Sequence, residues 1–310
     1  MDIRQLANFV QIIDVGSLTR AATVIGVAQP ALTFQIAKLE KELGCQLLIR
    51  STRGVHPTEA GMLLYREAQA ILRKVQQIPQ LLHRPATDPT GDVTIGFPNS
   101  LAPFLSTSVL AVVQTRFPRI RLHIFEGEST LQREQILKNR VELALICEHE
   151  PNADIFHRPL FRQRLALLCD SRSAEHDGKP IDLAEAAAHI VGLPSAGNPV
   201  RLAFDEAIRG LGLSVDVRLE FNTIRTLTDA VERGFGASIN LWMPNEGNGW
   251  ANVVFRPIVN PELWLHVSLC RSKVNQPTPA AMLVEDIMAE VTTARVNQPD
   301  WVGSISQHDG

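Results

Sequence analysis

VAQPALTFQIAKLEKELG, residues 27–44, decides how the front of this chain is read. Leu32, Ile36, Leu39 and Leu43 step by four, three and four, which draws one apolar stripe along a helix. Pro30 falls in the first turn, where a missing N–H does no harm. The other face carries Thr33, Phe34, Lys38 and Lys41. A face meant only for water has no use for a phenylalanine between a hydroxyl and two ammonium groups. Phe34 lies about 200° from Leu32 on a wheel of 3.6 residues per turn, so the helix's own apolar stripe does not explain it.

Upstream, Leu6, Phe9, Val10 and Ile13 give an amphipathic helix that Gly16 ends. Ser17 is an N-cap for a second short helix carrying Leu18, Ala21, Ala22 and Ile25, and Gly26 makes the turn into the third. Three short helices with a glycine turn before the last form a helix-turn-helix pattern, with a generic helical bundle as the plainer alternative. Downstream, CQLLIRSTRGVHPTEAG (45–61) reads as a small β-wing. Leu47–Ile49 form one strand, Arg50, Arg53 and Gly54 a basic turn, and Pro57 ends the return. Thr58 then caps a long helix with Glu59 in its first turn. In that helix Leu64, Ala68, Ile71, Val75, Ile78 and Leu82 step 4, 3, 4, 3, 4, a heptad seam that calls for a partner helix, most simply from a second copy of the chain. Pro79 predicts a kink or an end near Ile78.

HRPATDPTG (83–91) is a linker by composition. Beyond it strands and helices alternate: strands at 93–97, 121–125, 141–147, 165–169, 190–194, 217–221, 236–240 and 264–270, with helices between, including 199–210 and one after Thr278. RLHIFEGESTLQREQILKNRVELALI and RLEFNTIRTLTDAVERGFGASI repeat one order of strand, loop, helix and strand, so two similar α/β subdomains are expected. Residues 297–310 show no periodicity and read as a loose tail.

The totals narrow the class. The chain has 310 residues, room for two or three domains. No run of about 18 apolar residues reads as a membrane span, and the N-terminus lacks the layout of a signal peptide. Four scattered cysteines without a C-x-x-C argue for free thiols rather than a zinc site, and a cytoplasmic location is expected. Residues 1–91 hold 10 Lys and Arg against 7 Asp and Glu, net +3, while the rest holds 20 against 26, net −6. A basic front on an acidic back is a weak pointer to an N-terminal nucleic-acid module.

No phosphate loop, nucleophile elbow, zinc-protease helix or dinucleotide fingerprint is present, so no cofactor is expected. CEHE (147–150) is the best catalytic lookalike, through Glu148 and His149, yet a solvated loop explains it better. A binding crevice is the stronger expectation. In paired α/β subdomains the helix starts face one cleft, and their free N–H groups suit an anion. Asn99 and Ser100, Ser129 and Thr130, Ser195 and Asn198, and Asn222 and Thr223 stand at those points. At the front, Gln29, Thr33 and Gln35 occupy the start of the third helix, where base edges are read, and Lys38, Lys41, Arg50 and Arg53 can meet phosphates.

Those residues carry a resemblance. The ordered run A-A, then QPALT, IAKLEKELG, LLIR and RGVHPTEAG over some 60 residues is similar to the winged helix-turn-helix of LysR-type transcriptional regulators. Within the family, DVGSLTRAA, AQPAL and ICEHEP look most like regulators of the nitrogen-assimilation-control type, a likeness that weakens the effector dependence common in the family. The resemblance implies a DNA-binding domain at 1–58, a dimerisation helix and hinge at 59–91, and an effector domain at 92–300. That domain divides into periplasmic-binding-protein-like subdomains, at about 92–161 with 267–296, and 162–266. It implies DNA-facing roles for Ser17, Gln29, Pro30, Thr33, Gln35, Lys38, Arg50 and Arg53. Phe34 stands on the same face, where its ring either touches a thymine methyl or packs against the wing or the first helix. It further implies double-stranded promoter DNA, RNA polymerase and a small-molecule effector as partners, assembly as a dimer or tetramer through 64–82, no enzymatic activity and no membrane. A cytoplasmic small-molecule binding protein without DNA function is the alternative.

Overall fold

Local signals set the helix ends of the N-terminal unit. A computed structural model describes every residue except 52–53, 83–88, 149–152, 154, 173–177, 245–249, 251 and 307–310, together with the side chains of 50, 70, 73–74, 76–77, 79–82 and 306 as further exceptions. The chain forms two units, Met1–Ala86 and Thr87–Gly310. In the first, α1 (Ile3–Val15) starts at a reciprocal cap between Asp2 and Gln5 and stops at left-handed Gly16. Ser17 starts α2 (Leu18–Ile25), and left-handed Gly26 ends it. The third helix, α3, spans Gln29–Leu43 with Pro30 in its first turn. Strands β1 (Leu48–Ser51) and β2 (Gly54–Pro57) pair antiparallel, and α4 spans Glu59–Leu82. Phe9, Ile12, Leu32, Ile36, Leu39, Leu47, Val55 and Tyr65 form one core.

Three expectations change here. Leu43 is 40% exposed, so the buried stripe of α3 stops at Leu39. Arg50 lies in strand β1 opposite Val55 rather than in the turn. The fourth helix does not end near Ile78 but continues past Pro79 to Leu82, since a proline this near a helix end removes one bond of the last turns. The seam divides in two. Ala68 is buried and Leu64 packs on the winged-helix core, whereas Ile71, Val75 and Ile78 are exposed.

In the second unit, β3 (Gly91–Pro98), α5 (Ala102–Arg116), β4 (Ile120–Gly127), α6 (Ser129–Leu137), β5 (Leu143–Glu148), β6 (Ile155–Asp170), β7 (Ile181–Asp182) and α7 (Leu183–His189) follow in order. Then come β8 (Gly192–Pro194), α8 (Pro199–Gly210), β9 (Leu219–Phe221), α9 (Ile224–Glu232), β10 (Ser238–Leu241), β11 (Val253–Val259), β12 (Trp264–Ser272), α10 (Pro279–Val296) and β13 (Ser304–Ser306). The main sheet runs β4-β3-β5-β12-β6-β11-β7, with β10 and β13 also on β6. At its first end the parallel strands β3 and β5 are largely buried on both faces, as helix-covered parallel sheets are, whereas the edge strand β4 is mostly exposed. A separate parallel pair, β8-β9, completes the second lobe.

The 16-residue β6 joins the lobes. Its first half pairs with β12 and its second half with β10 and β11. At the junction sits Gln163, fully buried. Its Nε2 donates to the carbonyls of Trp242 and, at 2.8 Å, Val302, and its Oε1 accepts from Trp301 Nε1 at 3.0 Å. The expected loose tail is therefore tied down through residue 306. Trp301 is buried against Phe104 and Phe161, and β13 adds to the sheet.

Gln163→Met keeps the volume but strands a buried indole N–H and two carbonyls. Each orphaned group costs about 1–3 kcal/mol. Urea denaturation is expected to show a correspondingly lower midpoint, and the amides of 304–306 to exchange faster than in the parent.

Candidate DNA-binding surface and regulatory cleft

On the N-terminal unit the exposed face of α3 collects the residues expected at DNA. Gln29 Nε2 donates to Thr33 Oγ1 at 3.1 Å, so the two side chains present a preset pair one turn apart. Pro30 beside Gln29 is exposed. Phe34 is 71% exposed, which excludes packing on the wing or on α1. Lys38 and Lys41 are exposed farther along the helix. Gln35 behaves differently: its Oε1 accepts from Nδ2 of Asn8 on α1 at 2.7 Å, and Asn8 is buried. A side chain so engaged positions the helix within its own fold. Ser17 caps α2 by accepting from Arg20 N–H at 3.4 Å. The Arg50 side chain and the whole of Arg53 lie outside the described residues.

The wing is fixed to α3 and α4 by backbone contacts. Glu40 Oε1 accepts from the N–H groups of Leu47 and Leu48 at 2.8 and 3.1 Å. Thr58 Oγ1 donates to Gln46 O at 2.7 Å while accepting from Gly61 N–H at 2.9 Å. A Cβ on Gly61 would stand 2.0 Å from Leu47 O, so only glycine lets α4 pass so close to the strand.

In the second unit a cleft of about 470 Å³, open to solvent, lies between the lobes. The helices α6, α8 and α9 begin at it, and the turn leading into α5 lines it through Asn99 and Ser100. Asn99, Ser100, Ser129, Asn198, Asn222 and Thr223 line it; Thr130 and Ser195 do not. Ser195 instead donates from its backbone N–H to Phe221 O at 3.0 Å, and Thr130 is half-buried on α6. Ser129 Oγ accepts from Cys147 N–H at 3.0 Å, Asn198 caps α8 and Thr223 caps α9. Glu128 was not among the expected residues, yet among the described residues it is the one charged side chain in the lining. Among the described residues no lysine or arginine lines the cleft.

The catalytic lookalike resolves into a structural cluster. Neighbouring residues of a strand face opposite ways: Cys147 lines the cleft, while Glu148 is buried, accepting from Arg133 at 3.1 Å with His157 Nδ1 at 3.7 Å. His149 lies outside the described residues. Cys147, Cys169 and Cys270 are buried and Cys45 is exposed. Burial pushes the Cys147 thiol up to about 12 and the Cys169 thiol to about 11, and raises Cys270 as well. Among the described residues no group of His, Cys, Asp and Glu could hold a metal ion, and no helix is long and apolar enough to cross a membrane.

A winged helix-turn-helix joined to a two-lobed α/β domain is the make-up of a DNA-binding transcriptional regulator with a regulatory domain. Residues 3–62 match the family described as "Bacterial regulatory helix-turn-helix protein, lysR family", and residues 86–293 match the LysR substrate binding domain; the chain belongs to the LysR family and is a transcriptional regulator of that type. The nitrogen assimilation regulatory protein nac of Escherichia coli K12 is 34% identical over 310 residues, covering 97% of this chain and 99% of that protein. Its namesake from Klebsiella aerogenes is 34% identical, covering 94% and 96%. Among solved structures, a full-length OxyR variant from Pseudomonas aeruginosa superposes with a TM-score of 0.70 at 20% identity, covering 98% of both chains. Full-length CbnR complexed with its target DNA does so with a TM-score of 0.64 at 19% identity, covering 94% and 99%.

A neutral, buried thiol is a poor nucleophile. With an aromatic disulfide reagent near neutral pH, the folded protein is expected to yield one fast thiol, that of Cys45, and all four only on unfolding in guanidinium. A second fast thiol in the folded state would contradict the burial described above.

Proposed function

We propose that this regulator reads promoter DNA through α3, with Gln29, Thr33 and Phe34 at base edges and Lys38 at phosphate, and Pro30 and Ser17 close to the backbone. The wing arginines Arg50 and Arg53 reach the flanking strand. The observation that carries this reading is the solvent-facing Phe34 beside the preset Gln29–Thr33 pair. An aromatic ring left bare on a helix between polar and cationic groups suits the C5-methyl of thymine. Gln35 supports the surface from behind through Asn8.

Two copies of the chain associate, in this reading, through the exposed part of the α4 seam. Ile71, Val75 and Ile78 leave apolar surface that a second copy of the helix covers by knobs-into-holes packing. A dimer matches a palindromic operator whose half-sites lie about one helical turn apart. The cleft of the second unit is the regulatory site, where a small molecule shifts the lobes and so the contact with DNA and RNA polymerase. A protein that acts on promoters works in the cytoplasm, where bacterial DNA is held.

Gel-shift titrations against the promoter next to its own gene test the DNA reading. Phe34→Ala is expected to leave the melting temperature unchanged and to lower discrimination at one T·A pair by about 1 kcal/mol, roughly fivefold. Lys38→Ala is expected to weaken binding to all sequences alike and to reduce the salt slope by about one. A parent protein that does not distinguish promoter from random DNA would sink the proposal.

The assembly is tested separately. Val75→Asp combined with Ile71→Asp puts carboxylates into the seam, and sedimentation velocity is expected to show the smaller species. An unchanged sedimentation coefficient would remove α4 from the interface.

A further inference from the structure

Three helices, α6, α8 and α9, begin at the cleft of the second unit, and each start carries about half a positive elementary charge. Such a convergence suits a negative group. The cleft already contains one. Glu128 is the residue that caps α6 in sequence, but its side chain makes no bond to that helix. Instead Oε1 accepts from Nδ2 of Asn198, the N-cap of α8, at 3.3 Å. Glu128 belongs to the first lobe and Asn198 to the second, so the bond crosses the cleft. Asn99 makes a second crossing, donating from Nδ2 to Asn222 O at 3.0 Å.

We propose that the Glu128 carboxylate is a tethered anion. It fills from within the chain the place that the helix starts offer to a negative ligand, and through Asn198 it draws the lobes together. This deepens the reading of the cleft as the regulatory site and rests on it. A free carboxylate or phosphate entering the cleft meets a like charge in a partly buried setting and finds Asn198 already engaged. The closed arrangement is then a property of the chain itself, and the native cleft does not respond to small anions.

Thermal unfolding of the full chain tests this, with sodium formate compared against sodium chloride at equal ionic strength. The parent protein is expected to melt at the same temperature in both. Glu128→Ser removes the carboxylate and leaves room for formate. It is expected to melt lower in chloride and to recover by roughly 2–4 °C in formate. Glu128→Gln keeps the volume without the charge, so formate has no space and no recovery is expected. A parent protein stabilised by formate as strongly as the serine variant overturns the proposal, and so does a serine variant that formate does not stabilise. Should Glu128→Ser not fold, Asn198→Leu decides. It breaks the crossing but leaves the carboxylate, so faster amide exchange at the starts of α6 and α8 without a formate response is expected, and a formate response overturns the proposal. Gel shifts on the same samples separate the two readings. Formate rescue of melting with indifferent DNA affinity supports the tethered anion and overturns the regulatory role of the cleft.

Discussion

The C-terminal unit depends on the three hydrogen bonds of Gln163. A buried amide has two N–H groups and a carbonyl to satisfy, and leaving any of them unmade is costly. Here they close on Trp242, Val302 and Trp301, so one side chain ties the middle of β6 to the end of the β10 strand and to the C-terminal segment. The position matters because β6 changes partners at this point, from β12 to β10 and β11. A long strand exchanging neighbours would otherwise expose peptide groups at the switch. Backbone bonds to Gly303, Leu263 and Trp242 take up those of Arg164 and Leu165, the amide takes up the carbonyls of Trp242 and Val302, and Trp301 then seals the region with edge-to-face contacts to Phe104 and Phe161.

The N-terminal unit solves a related problem with different means. A two-stranded hairpin is marginal alone in water. The wing is held because Glu40 accepts two of its N–H groups, Thr58 binds Gln46, and Gly61 allows α4 to come against Leu47. The same α4 contributes Tyr65 to the core, where the phenol donates to Asp14. Helix α3, the wing and the start of α4 are thus one packed body, and Phe34 stands out from it into solvent.

How much of this was legible follows from where each residue finds its partner. Elements with a regular apolar period or a local cap were readable: α8 over 199–210, α10 behind Thr278, and β12 from Trp264. The first half of β6 was not, because its inward position 163 is a glutamine and Pro159 sits at a register shift against β12. The C-terminal segment has no period because one tryptophan and a three-residue strand anchor it. The polar cleft residues stood out as helix caps, whereas Glu128 gave no local signal, since its partner lies 70 residues away. Gln35 stands at the start of the third helix, where base edges are read, and only the position of Asn8 on α1 shows that its side chain is engaged within the fold.

The sharing of β6 and β12 between the lobes also bears on how such a gene can change. Residues before Thr87 form a unit with its own core, so a recombination event there exchanges one complete reading head for another. Within the second unit no single cut separates the lobes. The chain passes from the first to the second along β6 and returns along β12, and the C-terminal segment folds back onto β6. Promoter preference can therefore be inherited by exchange of a whole module, while the cleft has to evolve in place, by substitutions at single positions.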